Sequence, residues 1–120
     1  MFDIFHGDVL IGRSALESGD PPMGVAFGQF VPADAFFLLR SDMKPASDST
    51  GKKCQDRRHL AGVCAKTEEG IALVCSGVEV CEYGEADNPL EWEVVCLGIE
   101  WTLYEKLFPH HVKAYNDQFN

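Results

Sequence analysis

The sequence has no apolar run approaching the roughly 20 residues that a membrane-spanning helix needs. Its first residues, MFDIFHGD, lack the basic start, long apolar stretch and small-residue cleavage site of a secretory signal. Neither end carries a lipidation pattern. Membrane insertion and export are therefore not expected. Basic residues are also scarce: 10 Lys and Arg stand against 19 Asp and Glu, for a net charge of −9. A phosphate backbone rewards Lys and Arg, so no nucleic-acid partner is expected, and anionic membrane surfaces are disfavoured for the same reason. Basic partners are favoured instead. The five cysteines are odd in number and include no C-x-x-C pair, which argues against a disulfide framework or a structural zinc site. Cys64, Cys75, Cys81 and Cys96 fall in strand-like apolar segments and read as buried, reduced thiols. That usage points to a reducing, cytoplasmic compartment.

Catalytic signatures are missing too. There is no phosphate-binding glycine loop, no G-x-G-x-x-G, no G-x-S-x-G and no H-E-x-x-H. His110 and His111 are adjacent on an expected helix, so they project about 100° apart and poorly share one metal. No cofactor, metal or catalytic residue is assigned on these grounds. One loose constellation remains, Cys54 with Asp56 and His59 among Lys52, Lys53, Arg57 and Arg58. A Cys–His nucleophile needs spatial contact and an electropositive setting, and this spacing matches no known motif.

The 120 residues suit one domain, residues 1–120, long enough to bury a core without staples. FDIFH and VLIGR, joined by Gly7-Asp8, read as a tight hairpin with a type II′ turn. VAFGQFV, residues 25–31, is a third strand. A helix of about three turns follows from Pro32, with Asp34 in its first turn, and ends at Lys44-Pro45. Residues 45–58 are polar and read as a long loop. From residue 60, LAGVCAK, IALVCSGVEVCEY and EWEVVCLGIEW form a three-strand meander, its first turn at TEEG. Residues 102–119 read as helical with a break at Pro109; Phe108, Val112, Tyr115 and Phe119 recur on one face. The stretch GDPPMG, residues 19–24, is a rigid corner: Pro22 at the second and Gly24 at the fourth position suit a type I turn. The expected fold is α+β: one antiparallel sheet of five or six strands with two segregated helices.

Charge is unevenly spread. Residues 67–105 contain ten Asp and Glu and no Lys or Arg. Centring the hairpin turn on Asp87 sets Tyr83 opposite Glu91, Cys81 opposite Glu93 and Glu79 opposite Val95, all on one face by the period-2 rule. The even residues Val78, Val80, Trp92, Val94 and Cys96 would face the core. Near residues 71–75 and 95–101 both parities are apolar, so a helix is expected to cover each side there. The candidate docking residues are Glu79, Glu82, Tyr83, Glu85, Asp87, Glu91 and Glu93. Dense like charge costs stability, so a face of this kind is worth its cost where it speeds encounter with a basic protein. A small, acidic chain without catalytic motifs fits an immunity protein or antitoxin that neutralises a nuclease-like toxin. Two other readings stand beside it. One is a small enzyme or small-molecule-binding domain with its site near Cys54 and His59 or at GDPPMG. The other is a self-associating structural domain, a homodimer formed through a sheet edge or the C-terminal helix.

Overall fold

The computed structural model describes residues 1–39, 44–47, 53–60, 62–83 and 91–118, with backbone alone over 44–47 and 53–58. The fold is α+β, with antiparallel pairing throughout, but its strands form two sheets rather than one. The first strands are β1 (Phe2–His6), β2 (Val9–Ser14), β3 (Ser18–Asp20), β4 (Val25–Gln29) and β5 (Val31–Pro32). They are followed by β6 (Lys44–Ser47), β7 (Lys53–Leu60), β8 (Val63–Lys66), β9 (Gly77–Tyr83) and β10 (Glu91–Leu97). The four-stranded sheet runs β5-β2-β1-β8, and the six-stranded sheet runs β3-β4-β10-β9-β7-β6. Three helices complete the fold: α1 (Asp34–Leu39), α2 (Trp101–Leu107) and α3 (Pro109–Asp117).

The chain passes repeatedly between the sheets, and the crossings explain residues that local pattern leaves ambiguous. β4 and β5 are one apolar run in sequence, yet they lie in different sheets. The switch is at Phe30, whose N–H donates to the Trp92 carbonyl at 3.0 Å while its buried ring meets Phe36 edge-on at 5.1 Å. Phe30 fits there because Gly12 has no side chain; a Cβ on Gly12 would run into the ring and the Val31 carbonyl. An earlier crossing, between β2 and β3, places Leu16 at φ 46 with its side chain fully buried. The Ser14 hydroxyl accepts the Leu16 N–H at 3.1 Å, holding that unusual backbone in place.

The first hairpin forms as expected: Gly7 has φ 62 and Asp8 does not share the positive sign, as a II′ turn requires. The pairing of β9 with β10 matches the expected register residue for residue, with Tyr83↔Glu91, Cys81↔Glu93 and Glu79↔Val95. The TEEG turn closes with the Gly70 N–H on the Thr67 carbonyl at 2.9 Å. Pro109 ends α2 and opens α3, where its missing N–H has no partner to lose.

Several expectations are corrected. The meander does not exist, because β8 belongs to the four-stranded sheet and β7 is the neighbour of β9. Residues 45–58 are not one long loop; β6 and β7 pair there, with a register break between Pro45↔Arg58 and Ala46↔Cys54. α1 is six residues long, shorter than expected, and its anticipated continuation over 40–43 lies outside the described residues. The end near 71–75 and 95–101, expected to be covered on both sides, leaves Ile71, Val74 and Leu97 exposed among the described residues. Phe119 also lies outside the described residues.

One core serves both sheets. Ile4, Ile11 and Ala65 from the smaller sheet join Ala26, Val80, Val94 and Cys96 from the larger, with Phe30, Phe36, Tyr104 and Phe108 filling between. All five even-numbered hairpin residues named above as core-facing are buried, except Trp92, which is half-buried. α2 and α3 sit against the 3-10 turn (Pro21–Met23), and α3 also against β3, at one edge of the larger sheet. Among the described residues no helix is long and apolar enough to cross a membrane.

Candidate functional site

The face of the six-stranded sheet turned away from the core follows from the ladder registers, because directly paired residues project to the same side. β9 and β10 bring Glu79, Cys81 and Tyr83 beside Val95, Glu93 and Glu91. β4 adds Phe27 beside Val95 and Gln29 beside Glu93. β3 adds Ser18 beside Phe27 and Asp20 beside Val25. Four candidate residues therefore share one surface: Glu79, Tyr83, Glu91 and Glu93. Glu91 is exposed and the other three are half-buried. Glu85 and Asp87 lie outside the described residues.

Glu82 is a correction. Its even parity turns it inwards, where it is only 4% exposed and accepts the Trp92 indole N–H at 2.9 Å. It belongs to the core hydrogen bonding and not to a docking surface. Across from it in the ladder stands Arg58, with Arg57 opposite Tyr83, so the basic stretch is a direct strand neighbour of the acidic one.

Glu17, which the sequence leaves in a featureless connection, turns out to border this face. The β3–β4 ladder begins at Ser18↔Phe27, and one step beyond it the Glu17 carboxylate accepts the Gln29 N–H at 2.8 Å in place of a strand carbonyl. Glu17 thereby sits near Glu93. The Glu93 carboxyl is pushed above its ordinary range, first by partial burial and then by the charge of Glu17. Among the described residues the ion pairs are Arg13–Asp3 and the N-terminal amine with Glu68; neither touches this face.

Two hollows flank Phe27. One, of about 540 Å3, is bordered by Gln29, Val31, Tyr83, Glu91, Trp92 and Glu93. The other, of about 590 Å3, lies against α3 and is bordered by Asp20, His111, Ala114, Tyr115 and Gln118. Glu17, Ser18 and Phe27 border both. Among the described residues no Lys or Arg lines either hollow.

Beneath the second hollow is a buried polar link. The Tyr104 hydroxyl donates to the Val25 carbonyl at 2.9 Å and lies 2.9 Å from His111 Nδ1. Tyr104 and His111 thereby form a buried hydrogen-bonded pair whose donor and acceptor roles follow the His111 tautomer. His111 stacks on Phe108 with centroids 4.8 Å apart. Burial, and then the charge of His110, lower the His111 pKa, against the opposing pull of the Leu16 and Glu17 carbonyls. Burial also raises the Tyr104 phenol, to about 12. The link is possible only because residue 19 is glycine: a Cβ there would meet the Tyr104 hydroxyl, His111 Nδ1 and the Val25 carbonyl. His110 and His111 have ring centroids 4.3 Å apart, but His111 is buried and His110 exposed.

The alternative sites look different in three dimensions. In GDPPMG the Gly24 N–H bonds the Pro21 carbonyl at 3.0 Å, the expected turn, and Gly24 adopts φ 66. The Gly24 carbonyl accepts the Ile99 N–H at 2.9 Å, tying the corner to the chain after β10. Only its first two residues, Gly19 and Asp20, border the second hollow. His59 borders neither hollow, and the Cys54 and Asp56 side chains lie outside the described residues. The four described cysteines are free. Burial raises the Cys75 thiol and takes Cys96 to about 12, so both are held as thiols, the unreactive form. No known protein family matches the chain, and neither does any curated protein or solved structure.

Proposed function

We propose that this chain is a non-catalytic, cytoplasmic protein-binding module that takes a basic protein on the outer face of its six-stranded sheet, as an immunity protein or antitoxin takes a nuclease-like toxin. The observation that carries this is the concentration of carboxylates on one sheet face: Glu79, Glu91 and Glu93 share it and Glu17 lies at its β4 edge, with Arg57 of β7 set beside Tyr83 on the other side. The Glu93 carboxyl is raised there, first by partial burial and then by the neighbouring charge of Glu17. An incoming Lys or Arg relieves that crowding, so part of the cost of the free surface is returned on binding. Acidic surfaces of this kind raise association rates by 10- to 1,000-fold, in a manner that salt suppresses.

The test is capture of the partner from the native host with the wild-type chain, followed by association kinetics with the purified partner. The double variant Glu91→Lys/Glu93→Lys is expected to keep its circular dichroism spectrum and to associate at least about tenfold more slowly at low salt. A captured partner without an excess of Lys and Arg, or association unaffected by both salt and the double variant, rejects the reading.

A further inference from the structure

We propose that the hollow between β3 and α3 receives the guanidinium group of an arginine side chain carried by the basic partner; this rests on the functional reading above. The hollow measures about 590 Å3, within the size range of sites that hold one small ligand group. Its walls come from two elements that pack on each other, α3 and β3. α3 contributes His111, Ala114, Tyr115 and Gln118, spaced i, i+3, i+4 and i+7, which is one helical face. Lys113 falls about 200° round the helix from His111 and does not border the hollow. β3 contributes Asp20, and Glu17 stands just before its first residue.

Three observations select the occupant. The first is charge. Glu17 and Asp20 flank β3, three residues and about 10 Å apart along the chain. Neither is in an ion pair among the described residues. Arg57 is remote from them: β4, β10 and β9 separate β7 from β3, which is four strand spacings or about 19 Å. Asp20 holds the N-cap position of the 3-10 turn, where an aspartate ordinarily accepts a backbone N–H, yet its side chain makes no capping hydrogen bond. The second is shape. Phe27 and Tyr115, both half-buried, border the same hollow as the carboxylates. A guanidinium is planar and weakly hydrated, stacks on aromatic rings, and directs five N–H donors to more than one side. An ammonium is a compact, strongly hydrated point charge and uses the rings less well. The third is a buried polar group without a partner. His111 is only 5% exposed, and its Nε2 has no hydrogen-bond partner among the described residues. Such a nitrogen costs stability until a polar group meets it, and His111 borders the hollow into which the arginine would enter.

The probes are Nα-acetyl-arginine amide, its citrulline counterpart, which keeps the shape without the charge, and Nα-acetyl-lysine amide, which keeps the charge without the plane. Each is titrated into the full chain and followed by amide shift mapping. The arginine probe is expected to bind at least about fivefold more tightly than either of the others, with shifts centred on Ser18, Phe27, Ala114 and Gln118. Asp20→Asn should weaken it about fivefold, and Ala114→Leu should abolish binding by filling the hollow. Both positions are exposed, so both variants are expected to keep the wild-type circular dichroism spectrum. Val9→Ser on the other sheet should leave binding unchanged. No binding of the arginine probe, equal binding of all three probes, or shifts centred elsewhere overturns the site. With the captured partner, Ala114→Leu and Asp20→Asn are each expected to speed dissociation about tenfold. If both leave dissociation unchanged while Glu91→Lys/Glu93→Lys still slows association, the arginine seat is overturned and the acidic docking face stands. Absence of both effects overturns the seat and the docking face together.

Discussion

Glu82 and Glu91 lie on the same hairpin, and one step of parity separates their roles. Glu82 points inwards and holds the Trp92 indole; Glu91 points out and touches nothing in its ladder but Tyr83. Glu82→Ala orphans a half-buried indole N–H, so a loss of about 1–3 kcal/mol is expected in urea unfolding. Glu91→Ala should change stability by less than about 0.5 kcal/mol. Equal effects of the two would contradict the parity assignment. His111 sets a pH response. Its folded-state pKa lies below the ordinary value near 6.5, so the unfolded chain takes up the proton first as pH falls. The stability due to neutral His111 is therefore complete above about pH 6.5 and declines below it. Urea midpoints at about pH 8 and about pH 5.5 should differ in that sense, and His111→Gln should flatten the difference. Gly19→Ala pushes a methyl into the Tyr104–His111 link, at 2.6 Å from Nδ1 and 2.8 Å from the Val25 carbonyl. A destabilisation of about 1–3 kcal/mol is expected from overpacking of this kind.

The hairpin of β9 and β10 was legible in the sequence at the level of single residue pairs. Alternation over Val78–Tyr83 and Glu91–Val94 favours the register that puts Val78, Val80 and Val94 on one side. The break between α2 and α3 at Pro109 was legible for an equally local reason. β6 and β7 were not legible. Lys53–Leu60 is polar and basic, and it pairs because the acidic edge of β9 lies beside it, with Arg58 set against Glu82 and Arg57 against Tyr83. Propensity assigns such a segment to a loop, and its neighbour overrides that. The GDPPMG corner is an element whose conformation the sequence dictated but whose anchoring it did not. Gly24→Ala forces a Cβ onto φ 66 and to 2.6 Å from the Ile99 carbonyl oxygen. A loss of about 1–3 kcal/mol is expected, with faster amide exchange at Ile99, whose N–H bonds the Gly24 carbonyl at 2.9 Å. Unchanged exchange there would mean the corner does not brace the β10–α2 connection.

At the scale of the whole chain, a net charge of −9 over 120 residues makes self-repulsion a standing cost of the folded state. Screening shortens the reach of that repulsion to about 10 Å at 0.1 M salt. The melting temperature is accordingly expected to rise by a few degrees from low to moderate potassium chloride, while association with a basic partner slows over the same range. Calorimetry and stopped-flow kinetics on one preparation check the opposed signs; a shared sign would detach the acidic face from binding.

The sequence by itself determined the α+β class, the strand parity of the acidic hairpin and the corner at Pro21 and Pro22, because each depends on residues within a few positions of one another. Tertiary structure alone decided that two sheets form, that β4 borders β10 and that β7 borders β9. Those pairings join segments dozens of residues apart, and no local periodicity encodes which edges meet. They are also what brings Phe27 and Glu17 to the acidic face and leaves its centre apolar.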